Sequence, residues 1–490
     1  MPRHASVRRL APYRYSARFR TRRVPRKWRH RLEPPTARAR RPHGLPGLWT
    51  RLRRLIWAWW PWGVATVWAL VMDAWNWAAF FGVMAFLTHL AAPRERPPNY
   101  GLDHLIPTAD PAFLDSVVGL TGITFLDGNK VELLNNGDEF YPSMLQAIRD
   151  AKESVTIEAY IYWAGNVGLE FARALAERAR AGVTVKILLD AVGSSTIGTP
   201  ILETLESGGC QLAWFNPIKW YSIGQFNYRT HRKSLILDGR IGFTGGAGIA
   251  DHWSGHAQDP THWRDMQIRI EGPGVLPLQT GFARNWQQTT GELVSGPDYF
   301  PAPEPAGRVP LHTLLSSPSV GASAARTLYY FAIVCAQRTI HIANPYFVPD
   351  AVAIDALINA ARRGVRVTIL VSGRYNDNFV ARRNSVRLFG DLLKAGIEIY
   401  EYNHTMLHHK TMVVDGEWGT IGTTNFDNRS FAFNEESNVS FVDRRLLGDL
   451  EASFERDRAV SDRLTLDAWR HRGVWARVQE AAVWLLQDQV

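Results

Sequence analysis

The sequence predicts an α/β protein built from two similar, mainly parallel α/β units packed around a shared site, with an apolar N-terminal segment ahead of them. Three observations carry this. Strand-like and helix-like runs alternate twice in the same order. The spacing His-x-Lys, four residues, Asp occurs twice, at His231, Lys233, Asp238 and at His408, Lys410, Asp415. From Leu55 to Ala92 the only charged residue is Asp73.

The first unit begins with a helical run from Pro142 to Lys152. Ser154–Tyr162 then alternates like a strand. A helix follows over Leu169–Ala181, closed by Gly182, and Val183–Asp190 reads as a buried parallel strand. The second unit repeats this order with helix 324–336, strand 339–343, helix 351–363 closed by Gly364, and strand 365–371. The match of Ala-Arg-Ala-Gly-Val-Thr-Val (179–185) to Ala-Arg-Arg-Gly-Val-Arg-Val (361–367) is the clearest sign of duplication. Strand–helix–strand alternation implies parallel sheets with helices on both faces. The expected divisions are a basic arm over 1–54, an apolar segment over 55–92, a linker over 93–119, units over 120–300 and 310–460, and a helical tail over 461–490.

Charge is unevenly spread. The net charge is +10, but residues 1–54 hold 18 Arg or Lys against Glu33 alone. The arm therefore carries +17 and the rest of the chain −7, which excludes a nucleic-acid footprint over the whole surface. The arm has little apolar periodicity and reads as disordered, a basic flank suited to anionic lipid. The 55–92 stretch as one helix would run about 57 Å, against a hydrocarbon core of about 30 Å. It reads as a transmembrane segment: either a hairpin turning near Asp73-Ala74-Trp75-Asn76 or one tilted span, with Pro61 marking a break. With the basic arm inside, a hairpin keeps the later units cytoplasmic at the inner membrane, while a single span would export them. Two cysteines, Cys210 and Cys335, give no disulfide framework and no metal spacing.

The paired motifs define the chemistry. Alternate side chains of a strand share a face, so His231 with Lys233, and His408 with Lys410, can enter one pocket. Neither unit holds a full acid–base pair, so the two must meet. Lysine ammoniums suit a phosphodiester. One imidazole can attack phosphorus and form a covalent intermediate. The other can protonate the leaving oxygen and later deprotonate the incoming alcohol or water. No cofactor or metal is required. His404, His408 and His409 lie close in sequence, but in loop and strand rather than on a helix, which disfavours zinc.

These motifs and their flanks resemble the phospholipase D superfamily, and more narrowly bacterial cardiolipin synthases, over roughly residues 120–460. The flanks that carry the resemblance are Asn227-Tyr228-Arg229-Thr230 before His231 and Phe243-Thr244-Gly245-Gly246-Ala247-Gly248 after it. In the second copy they are Ile421-Gly422-Thr423-Thr424-Asn425-Phe426-Asp427, followed by Asn434 and Glu436. The resemblance implies transfer of a phosphatidyl group between two phosphatidylglycerols at a membrane. A phospholipase D using water, or a superfamily nuclease, are the alternatives; the apolar segment and the acidic catalytic part argue against the nuclease. It implies His231 as nucleophile and His408 as acid/base, although the residues themselves leave these roles interchangeable. Asp265 and Glu436 fall at the family's acidic positions, as orienters of the histidines. Thr423 and Asn425 fall at its phosphate contacts, where the first copy has Gly246 and Gly248 and only backbone amides to offer. Asp238 and Asp415 lie about 20 Å along the strand from the histidines and read as structural, binding turn amides before Gly239 and Gly416. Glu158, Tyr160, Tyr162, Tyr346 and Pro349 resemble positions near the site, with strand-end packing an equal reading.

Overall fold

A computed structural model of the chain describes residues 58–91, 102, 104–218, 227–317 and 324–483. The expected basic arm over 1–54 lies outside the described residues. So do residues 55–57 and 92 of the expected apolar segment, residues 93–101 and 103 of the expected linker, and the last seven residues of the tail.

The apolar segment forms two helices, α1 (Trp59–Val71) and α2 (Trp75–Ala91), packed against each other. The chain reverses at Asp73, which takes φ 56° and accepts a hydrogen bond from Trp75 Nε1 at 2.7 Å. Pro61 causes no break: it lies in the first turn of α1, where a missing N–H goes unnoticed. Apolar side chains remain exposed along the pair, Trp68 at 62% and Trp75 at 67%. Among the described residues no helix is long and apolar enough to cross a membrane.

The expected linker contains a helix, α3 (Pro111–Thr121). Asp110 caps it through the Ala112 amide, with Pro111 in its first turn. Phe113 and Val117 are fully buried in the core of the second unit. The first unit then runs β1 (Leu126–Asn135), α4 (Asn136–Asp150), β2 (Ser154–Ala159), α5 (Asn166–Arg180), β3 (Thr184–Asp190), α6 (Thr199–Ser207) and β4 (Gln211–Phe215). It continues through β5 (Arg229–Thr230), β6 (Lys233–Leu237), β7 (Ile241–Gly245), β8 (Met266–Glu271) and α7 (Val275–Thr290). The second runs β9 (Val309–Ser316), α8 (Ala324–Cys335), β10 (Thr339–Ala343), β11 (Phe347–Val348), α9 (Ala351–Arg362), β12 (Arg366–Ser372), α10 (Phe379–Lys394) and β13 (Glu398–Tyr402). It continues through β14 (Lys410–Val414), β15 (Trp418–Gly422), β16 (Phe426–Asp427), α11 (Asn428–Ala432), β17 (Asn434–Phe441) and α12 (Arg444–Ala459). The tail adds β18 (Asp462–Leu464), α13 (Leu466–Arg470) and α14 (Val474–Val483), so it is not wholly helical.

The duplication is plain in the strand order. β2–β3–β4 and β10–β12–β13 are parallel, as the strand–helix alternation requires. The sheets are nevertheless mixed rather than mainly parallel, because β6, β7 and β8, and likewise β14, β15 and β17, add antiparallel. The cause is local. β6 and β14 each end in an Asp-Gly turn, with φ 53° and 60° at Asp238 and Gly239, and 57° and 64° at Asp415 and Gly416. Two left-handed residues in succession return a strand directly on its neighbour as a hairpin, whereas a parallel return needs a crossover.

The units share one ladder, since β1 pairs with both β8 and β9. They also share a core. Ile236 and Ile268 from one inner face meet Val413, Ile421 and Val439 from the other, with Phe282 and Leu450 filling in from α7 and α12. Outer helices cover separate cores on the far faces. Burying two apolar faces against each other fixes the ends of β5, β6, β14 and β17 relative to one another, and the site forms there.

Candidate active site

Backbone pairing between the units carries the histidines to their partners. β5 runs parallel to the start of β17, with Arg229 opposite Asn434 and Thr230 opposite Glu435. The His231 amide then donates to Glu435 O at 2.9 Å, which brings the imidazole beside the next side chain, Glu436. His231 Nδ1 lies 3.0 and 3.1 Å from the two Glu436 oxygens. The second histidine is set the same way. Arg264 bridges Leu407, the His408 amide donates to Arg264 O at 2.7 Å, and His408 Nδ1 lies 2.7 Å from Asp265 Oδ2. Each histidine takes its carboxylate from the other unit. The sequence singled out all four groups but held no signal for this crossing.

The carboxylates are themselves fixed. Glu436 accepts from Thr423 Oγ1 at 2.5 Å and Asn434 Nδ2 at 3.3 Å. Asp265 accepts from Trp253 Nε1 at 2.9 Å and the Met266 amide at 2.7 Å. Thr423 therefore departs from its expected phosphate contact. It is fully buried behind the histidine pair, and its hydroxyl is taken by Glu436. Gly246 departs as well. Its amide donates to Met266 O, and a Cβ there would lie 2.2 Å from Asp265 Oδ1. Glycine makes room for the carboxylate, while Thr423 at the matching place supports one.

Electrostatics follow from burial. Both histidines are buried, and that pulls the first down to about 4 and the second to about 3, with the neighbouring lysines adding to it. Burial raises the Asp265 and Glu436 carboxyls, but the bonds to His408 and His231 and the lysine charges outweigh it and hold both below the usual carboxylate range. The consistent state is a neutral imidazole donating Nδ1–H to a carboxylate, which leaves the Nε2 lone pair available. Lys233 donates to His231 O at 2.9 Å, and Lys410 lies 3.1 Å from both ring nitrogens of His408. Burial brings Lys233 down to about 7, helped by Lys410, and brings Lys410 down to about 8. Of these six buried ionisable groups, the two ammoniums and two carboxylates are tolerable because opposite charges offset one another.

His231, Lys233 and His408 open onto a cavity of about 450 Å³, with Asn425 also in its lining. Aromatic rings flank the histidines: Tyr160 lies 5.2 Å from the His231 ring, and Trp263 and Trp253 lie 5.5 and 5.4 Å from His408. Tyr346 lines it too and donates its hydroxyl to Asp377. Glu158 and Tyr162 face elsewhere: Glu158 accepts from Thr230 and Asn285, and the Tyr162 hydroxyl donates to Gly168 O. Sequence reasoning gave no role to Arg229, Asp377, Asp427, Arg429 or Asn434, all of which line the cavity, although all but Asp377 stand in the motif flanks. For Arg229 a signal existed, because two residues before His231 in extended chain is the same face. Asp377 comes from a loop with no local mark.

The motif aspartates bind amides, but not those of their own turns. Asp238 accepts from Lys152, Glu153 and Ser154, and Asp415 from Gln337, Arg338 and Thr339, in each case the start of the adjacent strand. Asp415 also accepts from Thr108. His409 turns away from the cavity to Asp457, 3.2 Å off.

Comparison with known proteins fits this geometry. A family model described as cardiolipin synthase, phospholipase D-like domain, matches residues 144–260 and 331–458, one stretch in each unit. The chain is 34% identical over 365 residues to the major cardiolipin synthase ClsA of Bacillus subtilis, covering 74% of this chain and 76% of that one. It is 33% identical over 368 residues to a cardiolipin synthase of Listeria welshimeri, again covering 74% and 76%. A crystal structure of phosphatidylserine synthase from Haemophilus influenzae shares the fold, with a TM-score of 0.58 and 15% identity over 77% of this chain and 100% of the other.

Proposed function

This chain belongs to the cardiolipin synthase family of phospholipase D-like proteins, and we propose that it joins two phosphatidylglycerols into cardiolipin, releasing glycerol through a phosphatidyl-histidine. The observation that carries the reading is the crossed pair, His231 on Glu436 and His408 on Asp265, facing one cavity with Lys233 in its wall and Lys410 buried against His408.

In the first half, His231 Nε2 attacks the donor phosphorus and the bond to the glycerol oxygen breaks. Glu436 holds the Nδ1 proton and stabilises the charge that develops on the ring. His408 gives a proton to the leaving glycerol. Burial favours a neutral His408, but a phosphodiester anion beside it favours its charged form. Lys233 in the cavity wall holds a phosphoryl oxygen, Lys410 adds positive charge from beside the His408 ring, and the Asn425 side-chain amide adds a neutral donor. In the second half, His408 takes the proton of the acceptor's hydroxyl as that oxygen attacks phosphorus, and the N–P bond breaks.

The two N-terminal helices expose apolar and tryptophan side chains along their length, which suits insertion in a bilayer. We read the pair as the membrane anchor and the following units as cytoplasmic, at the inner membrane.

The test is mass spectrometry of lipids after full-length enzyme meets labelled phosphatidylglycerol vesicles with chelator present. Cardiolipin and free glycerol in equal amounts are expected, with a rapid denaturing quench at neutral pH, which spares the acid-labile N–P bond, leaving the phosphatidyl adduct on the His231 peptide. Phosphatidic acid alone would make water the acceptor and the protein a phospholipase D. Full turnover by His231→Ala or His408→Ala would end the two-histidine mechanism.

A further inference from the structure

Transfer between two copies of one lipid makes a demand that the histidine–lysine centre does not meet. Donor and acceptor each bring a phosphodiester anion. The donor's reacts between the histidines. The acceptor's stays intact, yet must rest close enough for its glycerol hydroxyl to reach the same phosphorus. A site related by pseudo-two-fold symmetry has to be asymmetric somewhere to do this.

Arg229 supplies the asymmetry. It lies two residues before His231 and is 2% exposed. Two residues before His408 stands Met406, whose sulfur accepts from Ser372. Arg229 Nη1 is 3.5 Å from Asp190 Oδ1. Asp190, however, is taken up by the amides of Val192, Gly193 and Thr230, at 2.9, 3.0 and 3.2 Å. Among the described residues, neither Nε nor Nη1 of Arg229 has a hydrogen-bond partner. Buried donors left open are costly and call for an acceptor, and a guanidinium in a cavity wall selects an anion such as a phosphate. Arg429 lines the same cavity, and both guanidiniums act on the Tyr160 hydroxyl, so the two share one neighbourhood. Asn434, opposite Arg229 in the β5–β17 register, has a buried Oδ1 with no partner among the described residues. An amide oxygen accepts from a hydroxyl. Asp377 and Asp427 also line the cavity and repel phosphate, which confines both anions to the cationic groups.

We propose that Arg229, with Arg429 beside it, holds the unreacted phosphate of the acceptor phosphatidylglycerol, while Asn434 receives one of its glycerol hydroxyls. This rests on the phosphatidyl-transfer reading and divides its site into donor and acceptor subsites.

The experiment compares two reactions of the full-length enzyme in the same phosphatidylglycerol vesicles: cardiolipin formation, and exchange of labelled free glycerol into phosphatidylglycerol. Free glycerol carries no phosphate, so exchange needs the histidines and lysines but not an acceptor-phosphate site. Arg229→Gln is expected to lower cardiolipin formation about tenfold or more beyond its effect on exchange, with Arg229→Lys between it and wild type. Arg429→Gln leaves the Asp190 pair intact, so it keeps the test independent of folding, and it should move the ratio the same way. Equal loss of both reactions would give Arg229 to the donor phosphate or to the fold and overturn the proposal. An unmoved ratio in both variants would overturn it too. A wild-type enzyme that performs neither reaction defeats the phosphatidyl-transfer reading, and the subsite with it.

Discussion

Glu436, in the second unit, sits 3.0 Å from Nδ1 of His231 in the first, and it is fully buried. The pairing makes each unit's histidine dependent on the other unit for its tautomer. Glu436→Gln keeps the shape but removes the charge that stabilises an imidazolium. By analogy with the Asp→Asn change of a serine-protease triad, kcat should fall about 10²–10⁴-fold with little change in melting temperature. Asp265→Asn should fall comparably through His408. A variant of either kind within twofold of wild type would show that the carboxylates do not orient the histidines.

Gly246→Ala is the smallest change that should damage the site. Its new Cβ would lie 2.2 Å from Asp265 Oδ1, so the carboxylate must move off His408. Activity should drop at least about tenfold, since a shift of about 1 Å in a catalytic group costs on the order of 10²-fold. The matching Cβ exists already at Thr423, whose hydroxyl donates to Glu436 instead of displacing it. Unaltered kinetics in Gly246→Ala, with the fold checked by circular dichroism, would count against Asp265 as a positioning group.

The pH profile should be set by lysines on its alkaline side. The histidines, brought by burial to about 4 and about 3, are neutral above those values, so the acid limb lies low. Lys233 and Lys410, brought to about 7 and about 8, lose their charge as pH rises through that range. In the free enzyme kcat/KM should therefore decline from pH 7 upward. A bound phosphate anion favours both ammoniums, so kcat should hold to higher pH. Lys233→Met should lower kcat/KM throughout and leave one alkaline transition. A kcat/KM flat to pH 9 would contradict this assignment.

Those four ionisable groups also mark how far the sequence could be read. His231, Lys233, His408 and Lys410 were legible because strand periodicity and a repeated spacing are local properties. The parallel strands β2, β3, β10 and β12 were legible for the same reason. The antiparallel additions were misjudged, although Asp238-Gly239 and Asp415-Gly416 are a hairpin signal in their own right. Thr423 was misplaced because its partner Glu436 is fixed by β-pairing across the sheet, not by spacing. The helix over 111–121 was lost in a proline-rich stretch, although Asp110-Pro111 is a sound start signal. Asp377 and the crossed carboxylates could not be found, since they depend on which strand of one unit borders which strand of the other.

The two motif aspartates should differ in their structural weight. Asp415 is buried, and it gathers the amides of Gln337, Arg338 and Thr339 together with the Thr108 hydroxyl, which ties the segment before α3 to the second unit. Asp238 gathers three amides as well, but its own carboxylate is only half-buried and takes no fourth group among the described residues, so water can replace it. Leaving buried donors unsatisfied costs about 1–3 kcal/mol each, and exposed ones far less. Asp415→Ala should therefore destabilise the protein by about 3 kcal/mol or more, and Asp238→Ala by about 1 kcal/mol. Chemical denaturation of both variants, followed by tryptophan fluorescence, would compare them. Because each aspartate sits at the far end of its strand from the histidine, the fraction that remains folded should keep its kcat. A folded Asp415→Ala enzyme with kcat lost would place that residue in the chemistry instead.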